Sequence, residues 1–204
     1  RTGLLVFAAI AIATGLLAGF TGWPGQPYRA LSLAGVILAA IAAVLIDPRS
    51  TAEDRATTPP AFVVEFASLL LFGPLAMVLV ALSRAIAQVF AESPRAVLSS
   101  RVFVNGAIAI AAAHAAGIGH GALGGTIEGF VWPWQATSIA AAVLAYWLTK
   151  SVSVDVIVPF IARRRTPESW AQSALRCAPG YFVAAGIAVA LVELIDRQAW
   201  EILP

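Results

Sequence analysis

The chain has 204 residues, of which 60% are hydrophobic and 12% charged, with a formal net charge of +2 and a mean hydropathy of +0.85. Soluble domains run at about 45–50% apolar and about 25% charged residues, so this chain cannot cover a water-facing surface. Nucleic acid is excluded as a partner, because the basic residues lie between apolar runs and form no patch; the single cysteine, Cys177, excludes an internal disulfide and a multi-cysteine metal site.

The length leaves room for roughly six membrane spans of about 20 residues each. In chain order, 3–20 and 30–46 are uncharged apolar runs, joined by a turn at 21–29 (TGWPGQPYR) whose Trp23 and Tyr28 suit a membrane interface. The stretch 47–60 (DPRSTAEDRATTPP) is a solvated loop. The run 61–91 is too long for one simple span, and Gly73-Pro74 interrupts it. Proline removes a backbone donor and clashes with the preceding turn, so the sequence predicts a kink or break there. A hairpin of two half-length helices and one kinked span continuing along the interface both satisfy this pattern; the hairpin is the expectation.

Residues 92–101 (ESPRAVLSSR) form a polar turn, and 102–120 is an Ala- and Gly-rich span suited to close helix packing. The segment 121–134 has no Lys or Arg and ends in an aromatic cluster, the signature of a non-cytoplasmic interface. A long helical stretch follows at 135–162 and ends on Arg163, Arg164 and Arg165. The last span is 178–195, with Pro179 near its start. The expected fold is therefore all-α, a polytopic transmembrane helix bundle of about six or seven membrane segments in one integral membrane domain over 1–204. By the positive-inside rule, the arginines at 95, 101 and 163–165 mark cytoplasmic ends. Counting crossings from them places the C-terminus outside, so either the protein ends there or one further span follows residue 204; the further span is the expectation.

Three motifs resemble the N-terminal membrane module of bacterial cyclic-di-GMP signalling proteins that carry HD-GYP or GGDEF domains. Leu71-Phe72-Gly73-Pro74, followed by an Ala-rich helix ending at Leu82-Ser83, is similar to that module's "LLxGP…AALS" element. Arg101-Val102-Phe103-Val104-Asn105 is similar to its "RxxFN" opening, and RQAWEILP at the C-terminus to its "GWxxLLxxP" run. The resemblance covers roughly residues 60 to 204. It implies a non-catalytic sensory and anchoring module in the bacterial cytoplasmic (inner) membrane, with a last span and an effector domain to follow. One departure is Lys150, which stands where such modules carry an Asn in the fifth span. No HD, GYP or GGDEF motif, Walker loop, G-x-S-x-G, H-E-x-x-H or metal-ligand spacing occurs, so no catalytic residue, cofactor or metal is assigned. The expected partners are the lipid bilayer, a second copy in a homodimer and an unidentified small-molecule stimulus. A small-molecule transporter or substrate-capturing subunit, and a structural subunit of a larger complex, are the alternatives.

Ionisable groups inside a span cost at least about 2.5 kcal/mol at its centre, so each requires a reason. Glu65 lies beside the Gly73-Pro74 break: either a ligand contact in a cavity the break opens, or a carboxylate paired with Arg101 or Arg84. Asn105, one turn after Arg101, can bond across helices or hold the carbonyls that Pro74 frees. His114 and His120 stand about 240° apart on a helix, so they share no face for a metal. His114 is a candidate ligand or proton-sensing group or a hydrogen-bonded core residue, and His120 an outer-interface residue. Lys150 and Asp155, about 140° apart, cannot readily pair within one α-helix. With Arg176 and Glu193 they form a candidate polar cluster, either a conformational relay or a charge network that fixes helix register.

Overall fold

The computed structural model describes residues 35–38, 60–92, 100–125, 133–161 and 170–196. The apolar run 3–20, most of 30–46, the loop at 47–59, the arginines at 163–165 and the C-terminal motif at 197–204 lie outside these. Residues 35–38 are a helical turn, and the remaining described chain is helical apart from Gly73 and the short stretches 123–125 and 133–134.

Helix α1 (Pro60–Phe72) is apolar around its whole circumference except for Glu65 and Ser68. It ends at Gly73, which has φ 93°, a conformation that residues with a Cβ adopt only under strain. The Gly73 N–H closes the last turn on the Leu69 carbonyl at 2.9 Å. Helix α2 (Pro74–Glu92) begins on the next residue. A proline at the first helical position loses nothing, because that N–H has no intrahelical partner. The break at Gly73 thus resolves 61–91 into two helices. They fold back on one another, since Glu65 and Arg84 meet across the joint. At 13 residues, α1 is roughly 20 Å long, short of the roughly 30 Å hydrocarbon layer.

Helix α3 (Ser100–Ala122) covers the residues expected to span at 102–120, but it is not one of the described helices long and apolar enough to cross a bilayer. Helix α4 (Gln135–Val152), a π-helical turn (Ser153–Ile157) and helix α5 (Val158–Ile161) run on as one rod. Pro159 accounts for the π turn. In a regular α-helix its ring would collide with the Asp155 carbonyl; the widened turn instead has the Val158 N–H donating to Ser153, five residues back. Helix α6 (Trp170–Asp196) contains Pro179 in its interior. The sequence places the span at 178–195, with Pro179 near its start. The structure begins it two turns earlier, and a transmembrane helix tolerates such a proline when neighbours compensate nearby. Here the Trp147 indole N–H donates to the Ala174 carbonyl at 3.2 Å, next to the Leu175 carbonyl that Pro179 cannot serve.

The principal packed pairs are α1 with α2, α2 with α3, α3 with α4, α4 with α6, and α6 with α1, which closes a ring of helices. Phe62, Phe66, Leu69, Met77, Ile110, Val143 and Tyr146 fill its centre. The tip of the hairpin abuts α3: a Cβ on Gly117 would lie 2.6 Å from Pro74 Cβ, so only glycine allows this approach.

The outer faces carry the reverse of a soluble pattern. On α6, Leu175 and Val183 are each 64% exposed, with Phe182, Ile187 and Leu191 also outward, and α4 presents Leu144 and Leu148. Gln135–Ile161 and Trp170–Ile195 are long and apolar enough to cross a bilayer, the two such helices among the described residues. The all-helical expectation holds.

Candidate functional site: a buried charge network at the helix break

Glu65 is fully buried, two turns before Gly73 and flanked on α1 by Phe62 and Phe66. Each of its carboxylate oxygens accepts a hydrogen bond. Arg84 Nε, from the opposite arm of the hairpin, donates to Oε1, and the Tyr146 hydroxyl, from α4, donates to Oε2 at 2.6 Å. Of the two partners expected for Glu65, Arg84 therefore meets it; the side chain of Arg101 lies outside the described residues. Ser68 Oγ donates to the Glu65 carbonyl at 2.6 Å, which removes a further polar group from the apolar interior.

The pair is enclosed by aromatic rings. Phe62 lies 4.7 Å from Tyr146 and 4.9 Å from Tyr181, centroid to centroid, and the two tyrosines are 5.9 Å apart. Such surroundings lower the local dielectric, which strengthens a satisfied ion pair and makes an unsatisfied one costly. Because Glu65 and Arg84 stand on opposite arms of a hinge one residue wide, their bond fixes the angle between α1 and α2. The Tyr146 bond then ties that hairpin to α4.

Lys150 continues the network outward. Its ammonium sits over the rings of Tyr146 and Tyr181, 5.7 and 5.6 Å from their centroids, within the range of cation–π attraction. Asp155, on the π turn, and Lys150 both lie close enough to Cys177 of α6 for their charges to act on it.

The other sequence candidates disperse. Arg176 is exposed on α6. Glu193 is half-buried and has interactions of its own, but it lies twelve residues beyond Tyr181, roughly 18 Å along the helix. The expected cluster of Lys150, Asp155, Arg176 and Glu193 is thus split, with Lys150 and Asp155 near one level and Glu193 well away. Asn105 is exposed and makes no hydrogen bond among the described residues. Pro74, whose freed carbonyls it was expected to hold, lies against Gly117, near the other end of α3. His114 is half-buried. His120 is buried, and its Nε2 is enclosed without a hydrogen-bond partner among the described residues. Among the described residues, no three His, Cys, Asp or Glu side chains converge on a metal position.

Tyr146 and Tyr181 are the members that sequence reasoning missed. The available signal was a phenol in the middle of an apolar helix, since a buried Tyr hydroxyl requires a polar partner. No protein-family model, curated protein or solved structure matches the chain.

Proposed function

We propose that the chain is the membrane-embedded sensory and anchoring module of a bacterial signalling protein, not itself catalytic, whose output is the turnover of cyclic-di-GMP. The signalling class comes from the three-part motif resemblance at residues 71–83, 101–105 and 197–204. The single observation that supports a sensory role is the Glu65–Arg84–Tyr146 network, which spans a one-residue hinge and a neighbouring helix. A charge pair in that position has two discrete states, closed or broken, and each holds the hairpin differently against α4. Bistable elements of this kind convert a local contact into a change of helix arrangement. The apolar outward faces of α4 and α6 support residence in the bilayer.

The natural reading frame past residue 204 tests the signalling class. A further span followed by an HD-GYP or GGDEF domain is expected; a stop codon directly after Pro204 would sink the proposal. In the full-length protein, Glu65→Gln is expected to change the cellular cyclic-di-GMP level at unchanged protein abundance. An unchanged level would remove the network from signal transmission.

A further inference from the structure

We propose that His120 makes the C-terminal cap of α3 an acid-operated latch: the cap closes over a neutral imidazole, and a proton on that ring releases it. The residues Gly121-Ala122-Leu123-Gly124-Gly125 build the cap. Gly124 has φ 73°, the left-handed conformation in which many helices end. Its N–H donates to the Gly121 carbonyl at 3.1 Å, and the Gly125 N–H donates to the His120 carbonyl at 2.9 Å. These two bonds form a Schellman motif, in which the acceptor and donor of the longer bond commonly pack against one another through apolar groups. Here the group on the acceptor's side is an imidazole. A Cβ on Gly125 would lie 2.3 Å from Nδ1 and Cε1 of that ring, so the loop backbone rests directly on it. On the preceding residue, a Cβ on Gly119 would lie 3.0 Å from the Ala141 carbonyl oxygen, so α4 approaches as closely.

His120 is 4% exposed, and its Nε2 is fully enclosed with no hydrogen-bond partner among the described residues. A neutral ring forgoes one hydrogen bond there, whereas an imidazolium presents two N–H donors and a charge, and an enclosed cation without an acceptor is far more costly. The elements around the cap offer it no counter-charge. On α3 the nearest titratable residue is His114, about 240° around the axis. The facing half of α4, 135–145, and the hairpin tip, 69–80, contain no titratable residue. Glu128, in the connection to α4, lies outside the described residues. Once the cap opens, His120 takes a proton as an exposed histidine does, at about pH 6.5. Above about pH 7.5 the closed and open caps bind the same protons, so pH has no effect; below about pH 6.5 the open cap gains up to about tenfold per pH unit. Gly117, one turn before His120, carries the tip of the hairpin, so release of the cap acts on the helix end against which Pro74 rests. Calling acid a stimulus rests on the sensory reading above, whereas the latch does not.

The test uses the full chain in nanodiscs of neutral phosphatidylcholine. Amide hydrogen exchange of residues 121–125 is measured at about pH 7.5 and about pH 5, corrected for the intrinsic pH dependence of exchange. Protection of the Gly124 and Gly125 amides is expected to fall by about tenfold or more at the lower pH. His120→Phe keeps a ring under the loop but takes no proton, and is expected to hold its protection at both pH values. His114→Gln and Glu128→Gln are expected to leave the fall as it is in the unsubstituted chain. Should His120→Phe fail to fold, the 15N shifts of labelled histidines in the unsubstituted chain give the second reading: His120 is expected to gain its charge over the same pH range in which protection is lost. Protection that is equal at the two pH values, a fall that persists in His120→Phe or disappears in His114→Gln or Glu128→Gln, or a His120 charge that does not track the loss overturns the proposal. Each of these results would leave the reading-frame test of the signalling class untouched.

Discussion

Glu65 shows how a charge can reside in an apolar interior: each carboxylate oxygen has its own donor, and one donor is itself a cation. Removing either ion strands the other. Glu65→Ala is therefore expected to destabilise the chain by about 3–5 kcal/mol, with a comparable loss for Arg84→Ala. The double variant leaves no stranded charge, so its loss should fall well below the sum. A double-mutant cycle of unfolding free energies in mixed micelles measures this, and strict additivity would show that the two side chains do not depend on one another. Tyr146→Phe keeps the contacts of the ring with Phe62 and Tyr181 but removes a hydrogen bond to a charged group. Its expected cost is about 1.5–3 kcal/mol in the same assay. A loss near zero would mean that water replaces the hydroxyl.

At the scale of elements, the Gly73 joint and the α3 contact decide how the hairpin is held. Gly73→Ala forces a Cβ into a positive-φ conformation, which costs roughly 1–2 kcal/mol. Gly117→Ala leaves the hinge intact but drives a methyl group into Pro74, and overpacking of this kind costs about 1–3 kcal/mol. The two variants are distinguished by the hairpin itself. Gly117→Ala should separate Pro74 from α3, readable as a longer spin-label distance between the hairpin tip and α3, whereas Gly73→Ala should strain the joint without lengthening that distance. An unchanged distance in Gly117→Ala would contradict the packing at the tip. The hairpin was legible in the sequence because Gly followed by Pro is a local signal that acts on its own backbone. The π turn at Ser153–Ile157 was not anticipated, since 135–162 reads as one helical stretch, although its cause is local: Pro159 stands four residues after Asp155. The helix begins two turns before Pro179, and the contact beside the carbonyl that Pro179 leaves unserved comes from Trp147 on a different helix, which no local signal marks.

At the scale of the whole molecule, composition alone carried the all-helical, apolar character of the chain, since a low charge content excludes most other solutions. The site was only half legible. Arg84 could be named as a partner for Glu65 because the two lie on arms joined by a recognisable hinge. Tyr146 could not, because its contact with Glu65 spans 81 residues and depends on α4 entering the ring beside α1. Likewise, Glu193 was grouped with Lys150 by chemistry, but the register of α6 against α4 separates them. The central claim is that the chain is an integral membrane bundle whose outward faces on α4 and α6 meet lipid. Alkaline carbonate extraction of membranes carrying the full chain tests this most directly. The chain is expected to remain in the membrane pellet and to be released by detergent; its recovery in the carbonate supernatant would contradict the account.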